Sequence, residues 1–196
     1  MRIALPYGFF LLTLLNAPLF AQPAGLLEKW LTRPRTETVA RSSDTQIPLP
    51  EVYFSPRGGC TAAVVNALAE ARQTILVQAY SFTSAPIAAA LVAASKRGVR
   101  IEAVLDKSNK TGKYSEADFL VNSRIPTWID DRHAIAHNKV MVIDGNTVIT
   151  GSFNFTKAAE ESNAENLLIL RSATLASRYT TSFLEHREHS TPYAGH

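Results

Sequence analysis

A single cysteine, Cys60, leaves this 196-residue chain without an intramolecular disulfide or a zinc-ribbon spacing, so Cys60 reads as a small core filler. Charge is also sparse: 19% of residues are charged, and 20 Lys and Arg against 17 Asp and Glu give a formal net charge of +3. That excess favours a polyanionic partner only weakly. The amino-terminal apolar run, Phe9 to Leu15, is too short to span a bilayer as a helix. No glycine-rich phosphate-binding fingerprint occurs. Gly58-Gly59 precedes a helix, but with no ensuing lysine it reads as a strand-to-helix turn rather than a phosphate cradle. Asp130 and Asp131 lie near His133, yet no second histidine follows at ligand spacing, and no metal or other cofactor is expected. What is present is 46% hydrophobic residues, enough for one proper core and one globular domain.

The amino terminus has the order of a secretory leader: Met1-Arg2 as a short basic start, the apolar run, then Ala17-Pro18-Leu19-Phe20-Ala21 as the cleavage region. Residues 1–21 are therefore expected to be a signal peptide cut near Ala21. Because Leu19 departs from the small-x-small rule, an uncleaved membrane anchor is the alternative. The expected location is periplasmic or secreted, where an unpaired thiol stays inert only if buried. Residues 22–50 alternate Pro, Thr, Ser and Arg around the apolar patch Leu26 to Leu31 and read as a linker. Residues 51–190 form the expected domain, and residues 191–196 a tail.

Within the domain, Glu51 to Phe54 is predicted as a strand, followed by a helix capped at Gly59 or Thr61 and running to about Ala71. Thr74 to Ala79, apolar except for Gln78, has the pattern of a strand covered on both faces. Ser84 and Pro86 open a helix that stops at Gly98, and Val99 to Leu105 is the next strand. Strand, helix, strand in this order calls for a parallel pair. The fold class is therefore α/β, with a mixed, largely parallel central sheet and helices on both faces. A short helix to about Asn122, strands at Pro126 to Ile129 and Leu167 to Leu170, and a closing helix from Ala173 to Glu188 complete it. The closing helix is expected to present Leu175, Tyr179, Phe183 and Leu184 on one face. Lys107, Lys110 and Lys113 make the segment Asp106 to Tyr114 the densest positive stretch, either a solvated loop or a set of nucleic-acid backbone contacts. His186, His189 and His196 sit at a helix end or in the tail and read as surface groups.

The organising stretch is His137-Asn138-Lys139-Val140-Met141-Val142-Ile143-Asp144, followed after a turn by Gly151-Ser152-Phe153-Asn154. The apolar run is a buried strand bracketed by polar groups that folding alone would not ask for. His137 and Lys139 are two apart and share a face, whereas Asp144 points the other way. Asp144-Gly145-Asn146 reads as a hairpin turn that returns the chain to Gly151, Ser152 and Asn154. Imidazole, ammonium, hydroxyl and carboxamide without a carboxylate on that face suit an anionic substrate.

His-x-Lys-x4-Asp-x6-Gly-Ser-x-Asn, read from His137 to Asn154, resembles the signature of the phospholipase D superfamily. With Tyr80-Ser81-Phe82-Thr83, Thr111-Gly112, Phe155 to Glu160 and Glu165-Asn166, the chain from about Val52 to Glu188 is most similar to that superfamily's small single-motif bacterial endonucleases, the Nuc group. The resemblance implies the phospholipase D/nuclease fold and a metal-independent phosphodiesterase. A phosphodiester repels nucleophiles, so Lys139, Ser152 and Asn154 would surround its non-bridging oxygens. His137 would attack phosphorus to give a phosphohistidine, and Glu165 would hold its other ring nitrogen. Asp144 and Gly151 are assigned to structure, Asp144 pairing with a base within the sheet or across a dimer. In-line displacement also needs an acid opposite the nucleophile. His133, four residues upstream on an extended chain, stays on the same side. With one copy of the motif, the resemblance implies a homodimer whose two His137 residues share one site.

The leading expectation is an endonuclease acting on DNA, and also on RNA, with little sequence preference. The alternative is a phospholipase D that hydrolyses phospholipid head groups with the same residues, against which stands the lack of a long insertion to build an acyl-chain pocket. A third class is a catalytically silent nucleic-acid-binding module, against which stand the intact His137, Lys139, Ser152, Asn154 and Glu165.

Overall fold

The computed structural model describes residues 49–112 and 115–195. The expected signal peptide, all but the end of the expected linker, and Lys113, Tyr114 and His196 lie outside the described residues. Among the described residues no helix is long and apolar enough to cross a membrane.

The motif strand β5 (Lys139–Ile143) is buried along its whole length and turns into β6 (Thr147–Gly151) through Asp144-Gly145-Asn146. Asp144 and Gly145 both take positive φ, 51° and 64°, and the Asn146 N–H closes the turn on the Ile143 carbonyl at 3.1 Å. Aspartate tolerates this conformation and glycine has no side chain to oppose it, which is why Asp-Gly makes the hairpin.

β5 and β6 lie within one eight-stranded sheet of order β1-β7-β6-β5-β2-β3-β4-β8. The other strands are β1 (Glu51–Ser55), β2 (Thr74–Ala79), β3 (Arg100–Asp106), β4 (Thr127–Asp130), β7 (Glu165–Arg171) and β8 (Thr191–Pro192). The expected parallel pair is β2 with β3, joined by helix α2 (Ala85–Lys96). β3 pairs with β4 in the same sense, and every other pairing is antiparallel. The sheet is mixed, as expected, but its parallel part is confined to β2, β3 and β4. Hairpins need no crossover helix, and half of the sheet is built from β5, β6, β7 and the returning β1.

Alternation along β5 sends Met141 and Ile143 to one face and Val140 and Val142 to the other. The first face packs against α1 (Cys60–Glu70) and α2, with Cys60 fully buried as core filler. Burial pushes its thiol pKa up, and the nearby Glu160 adds to this. The second face carries α6 (Ala173–His189), where Val140, Val142 and Val148 meet Ala176, Leu175 and Tyr179. Helices thus cover both faces. Phe183 is buried one turn beyond Tyr179, but Leu184, expected on the same face, is 43% exposed because it lies about 100° further round the helix.

The segment expected as a tail adds the edge strand β8, whose Thr191 pairs with Ile129, and Tyr193 Oη donates to Asp118 Oδ1 at 2.8 Å. Burial and that carboxylate push the Tyr193 hydroxyl pKa up to about 12. Three short helices, α3 (Ser108–Thr111), α4 (Ala117–Asn122) and α5 (Lys157–Glu161), complete the described elements.

Among the described residues of the chain Asp144 does not pair with a basic side chain. Its carboxylate accepts from the backbone N–H groups of Arg72, Gln73 and Thr74 at 2.9, 2.7 and 2.9 Å, pinning the hairpin to the start of β2. Burial alone would raise its pKa; the three amides together outweigh it and hold the carboxyl below its ordinary value. The unfolded chain therefore takes up the proton first as pH falls. The stabilisation is present above the ordinary value of 3.8 and is lost as pH falls through the lower folded value. Asp144→Ala is expected to cost about 2 kcal/mol at neutral pH, allowing for solvent at this half-exposed turn. Urea unfolding at pH 7 and at pH 3 checks this, the gap to the parent chain narrowing at the lower pH.

Candidate active site

The sheet order brings the functional residues to one end. β2, β3, β4 and β6 finish there, while β5 and β7, running the other way, begin there. That end therefore receives Tyr80 from beyond β2, His137 and Lys139 at the start of β5, Gly151 and Ser152 from β6, and Glu165 and Asn166 from β7.

Lys139 is the buried centre of this group, only 7% exposed. Its Nζ donates to the His137 carbonyl at 2.7 Å and stands 5.0 Å from the centroid of the Tyr80 ring. The His137 ring, exposed at the rim, lies 4.5 Å from the same ring, tilted by 50°. Tyr80 is thus a platform under both residues, held by its N–H on the Asn138 carbonyl at 2.8 Å. Burial lowers the Lys139 pKa from the ordinary lysine value, and the nearby Glu165 carboxylate works against that shift.

Ser152 Oγ accepts from the Asn166 backbone N–H at 3.0 Å and from Asn166 Nδ2 at 3.3 Å, which leaves the serine proton available to a substrate oxygen. The Ser152 and Phe153 N–H groups share the Asn166 carbonyl at 3.1 and 3.2 Å. Phe153 and Phe155 are completely buried, so the loop is anchored at alternate residues and Asn154 is presented between them. The Asn154 amide oxygen is buried without a hydrogen-bond partner among the described residues. Glu165 joins the group through its charge on Lys139, but it makes no hydrogen bond to His137; its Oε1 accepts from Asn163 Nδ2 at 3.1 Å.

Gly58-Gly59 is a turn, with the Gly59 amide taken. The Glu160 carboxylate accepts from the Gly59 and Thr61 N–H groups at 3.0 and 2.7 Å, capping α1 where an anion is favoured. Of the three lysines, exposed Lys107 donates from Nζ to the His133 carbonyl at 3.1 Å, Lys110 is exposed in α3, and Lys113 is outside the described residues.

Four positioning residues carry no role in the sequence reading. Beside Tyr80 and Asn166, buried Asp106 accepts from the Ala136 N–H at 2.8 Å and the Ser108 N–H at 2.9 Å, fixing the approach to His137. Buried Asn109 donates to the Tyr80 and Asp106 carbonyls at 2.6 and 3.0 Å and accepts from the Phe82 N–H at 3.2 Å. A polar residue at the end of an apolar strand, as Asp106 and Tyr80 are, was the available signal.

His186 and His189 correct the expectation of surface groups, and His133 joins them. All three point ring nitrogens at Asp130 Oδ2, at 2.9, 2.8 and 3.4 Å. The side chains of His186 and His189 are only 20% and 19% exposed, and Asp130 is fully buried. Burial raises the Asp130 carboxyl pKa, but the hydrogen bonds from His186, His133 and His189 together pull it far below the ordinary value.

Fold and site together define a class, an α/β sheet that gathers His137, Lys139, Ser152 and Asn154 at one end, as phospholipase D-like proteins do. Residues 64–187 match the model of the family described as cardiolipin synthase, PLD-like domain, and the chain belongs to this phospholipase D-like family. A phospholipase D of Rickettsia felis is 42% identical over 134 residues, spanning 68% of this chain and 67% of that protein. Among solved structures, the phospholipase D family member Nuc from Salmonella typhimurium superposes with a TM-score of 0.71 at 39% identity, covering 74% of this chain and 97% of Nuc. NucT from Helicobacter pylori shares the fold, with a TM-score of 0.69 at 22% identity over 74% of this chain and 99% of its own.

Proposed function

We propose that the protein is a metal-independent phosphodiesterase, an endonuclease that cleaves DNA, and also RNA, through a phosphohistidine at His137. The observation that carries the reading is the pairing of an exposed imidazole with a buried ammonium on one tyrosine platform. His137 is open to a substrate while Lys139 is held beneath it. The groups around the phosphate position are donors and a cation, so Lys139, Ser152 and Asn154 neutralise the non-bridging oxygens themselves. Attack by the neutral imidazole forms a P–N bond and breaks the first P–O bond; water then breaks the P–N bond and restores His137. Glu165 favours the charged state of Lys139 and, once substrate is bound, stabilises the positive charge that develops on His137.

The leaving oxygen departs opposite the attacking nitrogen and needs a proton there. His133 is already engaged by Asp130, which leaves the acid to a second copy of His137 across a twofold axis. Sedimentation is expected to give an active dimer; a fully active monomer would contradict the shared site.

The similarity to Nuc favours nucleic acid, and the name of the Rickettsia relative supports phospholipid hydrolysis as the second reading. Plasmid DNA and phosphatidylcholine incubated side by side at 25 °C in excess EDTA separate the two: nicking without head-group release is expected, and the reverse result establishes the lipid activity. A folded dimer that turns over neither these nor bis(p-nitrophenyl) phosphate is instead a silent nucleic-acid-binding module. Export, through a signal peptide over residues 1–21, belongs to the same proposal; amino-terminal sequencing of the periplasmic protein is expected to begin near Gln22.

A further inference from the structure

We propose that Asp130, His133, His186 and His189 form a structural site for one divalent transition-metal ion of the zinc type, separate from the catalytic end group. One ligand atom from each residue lies within 4.8 Å of the other three, a convergence found nowhere else among the described residues. Three neutral imidazoles and a carboxylate are a set that zinc binds in four-coordinate sites. In a tetrahedron with ligands about 2.0–2.1 Å from the metal, neighbouring ligand atoms stand about 3.4 Å apart. The observed separations from Asp130 Oδ2, 2.9 Å to His133 Nδ1, 2.8 Å to His186 Nδ1 and 3.4 Å to His189 Nε2, already approach that edge. The rings are packed together, with His133 and His186 stacked at 4.9 Å and His189 at 5.1 and 5.3 Å from them.

The arrangement is demanding without a cation. Three ring nitrogens crowd one carboxylate oxygen, so each must carry its proton on the side facing Asp130. With a metal at the centre, each imidazole presents a lone pair inward and carries its proton on the opposite nitrogen. Three of the four side chains have one edge open to solvent, at 45%, 20% and 19% exposure, which gives an ion a way in. The fourth, Asp130, is fixed in the sheet beside Asp106.

The site is distinct from the catalytic group. β4, which carries Asp130, stands three strand spacings from β5, roughly 14 Å at the usual separation. Its ligands come from the end of β4, the exposed loop that leads to His137, and the last two turns of α6. An ion there ties the carboxy-terminal helix to the loop that delivers the nucleophile, and Lys107, bonded to the His133 carbonyl, adds a further link to β3.

The test uses the full chain. After loading with Zn2+ and exhaustive dialysis against metal-free buffer, elemental analysis is expected to find about one zinc per chain, and Co2+ loading to give the intense visible bands of a four-coordinate site. Zinc is expected to raise the Tm by at least about 5 °C. The double variant His186→Ala/His189→Ala is expected to retain no zinc, and His137→Asn to retain it all. His133→Gln, a change on an exposed loop, serves if the double variant fails to fold, with zinc affinity expected to fall by about 100-fold. Absence of bound zinc in the parent chain, full retention by the double variant or by His133→Gln, or loss from His137→Asn overturns the proposal.

Discussion

His137→Asn is expected to lower turnover of bis(p-nitrophenyl) phosphate and plasmid DNA by about 10⁴-fold or more, with little change in unfolding midpoint. Asparagine keeps a polar side chain of similar reach but cannot form the P–N bond. The exposed His137 ring contacts Tyr80 without entering the core, and Lys139 is held by the His137 carbonyl, which the substitution retains. The loss should therefore fall on kcat, with KM for DNA nearly unchanged. Comparable kinetics in parent and variant would remove His137 from the reaction.

Gly151→Ala is expected to destabilise the domain by about 3 kcal/mol and to abolish activity in what remains folded. Two effects add. Gly151 has φ +150°, in a region that side chains avoid, and a Cβ there would stand 2.2 Å from the Asn166 carbonyl oxygen. That oxygen is backbone, shared by the Ser152 and Phe153 N–H groups, and cannot move without displacing Ser152. Gly145→Ala is the control. Its φ is +64° but nothing lies within 4 Å of the added carbon, so it carries the conformational penalty alone, about 1 kcal/mol. Urea titration of the two variants should show the larger loss at Gly151; equal losses would mean that the close approach to Asn166 is relieved cheaply.

The glycine of the motif thus serves the candidate site by letting two strands come close, which its spacing alone did not reveal. Features written in local pattern were legible: the Asp144-Gly145 hairpin, the buried run of β5, and β2 at Thr74 to Ala79. Gly98, with φ 93°, ends α2 where the sequence placed its stop. The parity argument that took Asp144 off the reacting face agrees with its place on the amides of Arg72 to Thr74, but those amides come from 70 residues or more upstream and no spacing announces them.

What escaped the sequence was tertiary. β1 pairs with β7, so that Ser55 faces Glu165, and only assembly of the sheet shows this. Two residues, Thr191 and Pro192, are too few to show a strand period, so β8 read as a tail. The histidines illustrate the limit most clearly. In the sequence Asp130 and His133 lack a second histidine at ligand spacing and His186 and His189 read as surface groups; their meaning appears only when α6 lays its last turns beside the end of β4. Tyr80 was visible as part of a family-like run, yet its role as the platform under His137 and Lys139 depends on β2 lying next to β5.

The central claim is that His137 becomes covalently bonded to phosphorus during turnover. The direct measurement is to mix the protein with an end-labelled oligonucleotide, quench within the first turnover in alkaline denaturant that preserves the acid-labile P–N bond, and map the adduct by mass spectrometry. The account predicts label on the peptide containing His137, lost on mild acid treatment and absent from His137→Asn. Rapid cleavage with no protein-bound phosphate at any quench time, or with label on another residue, would contradict it.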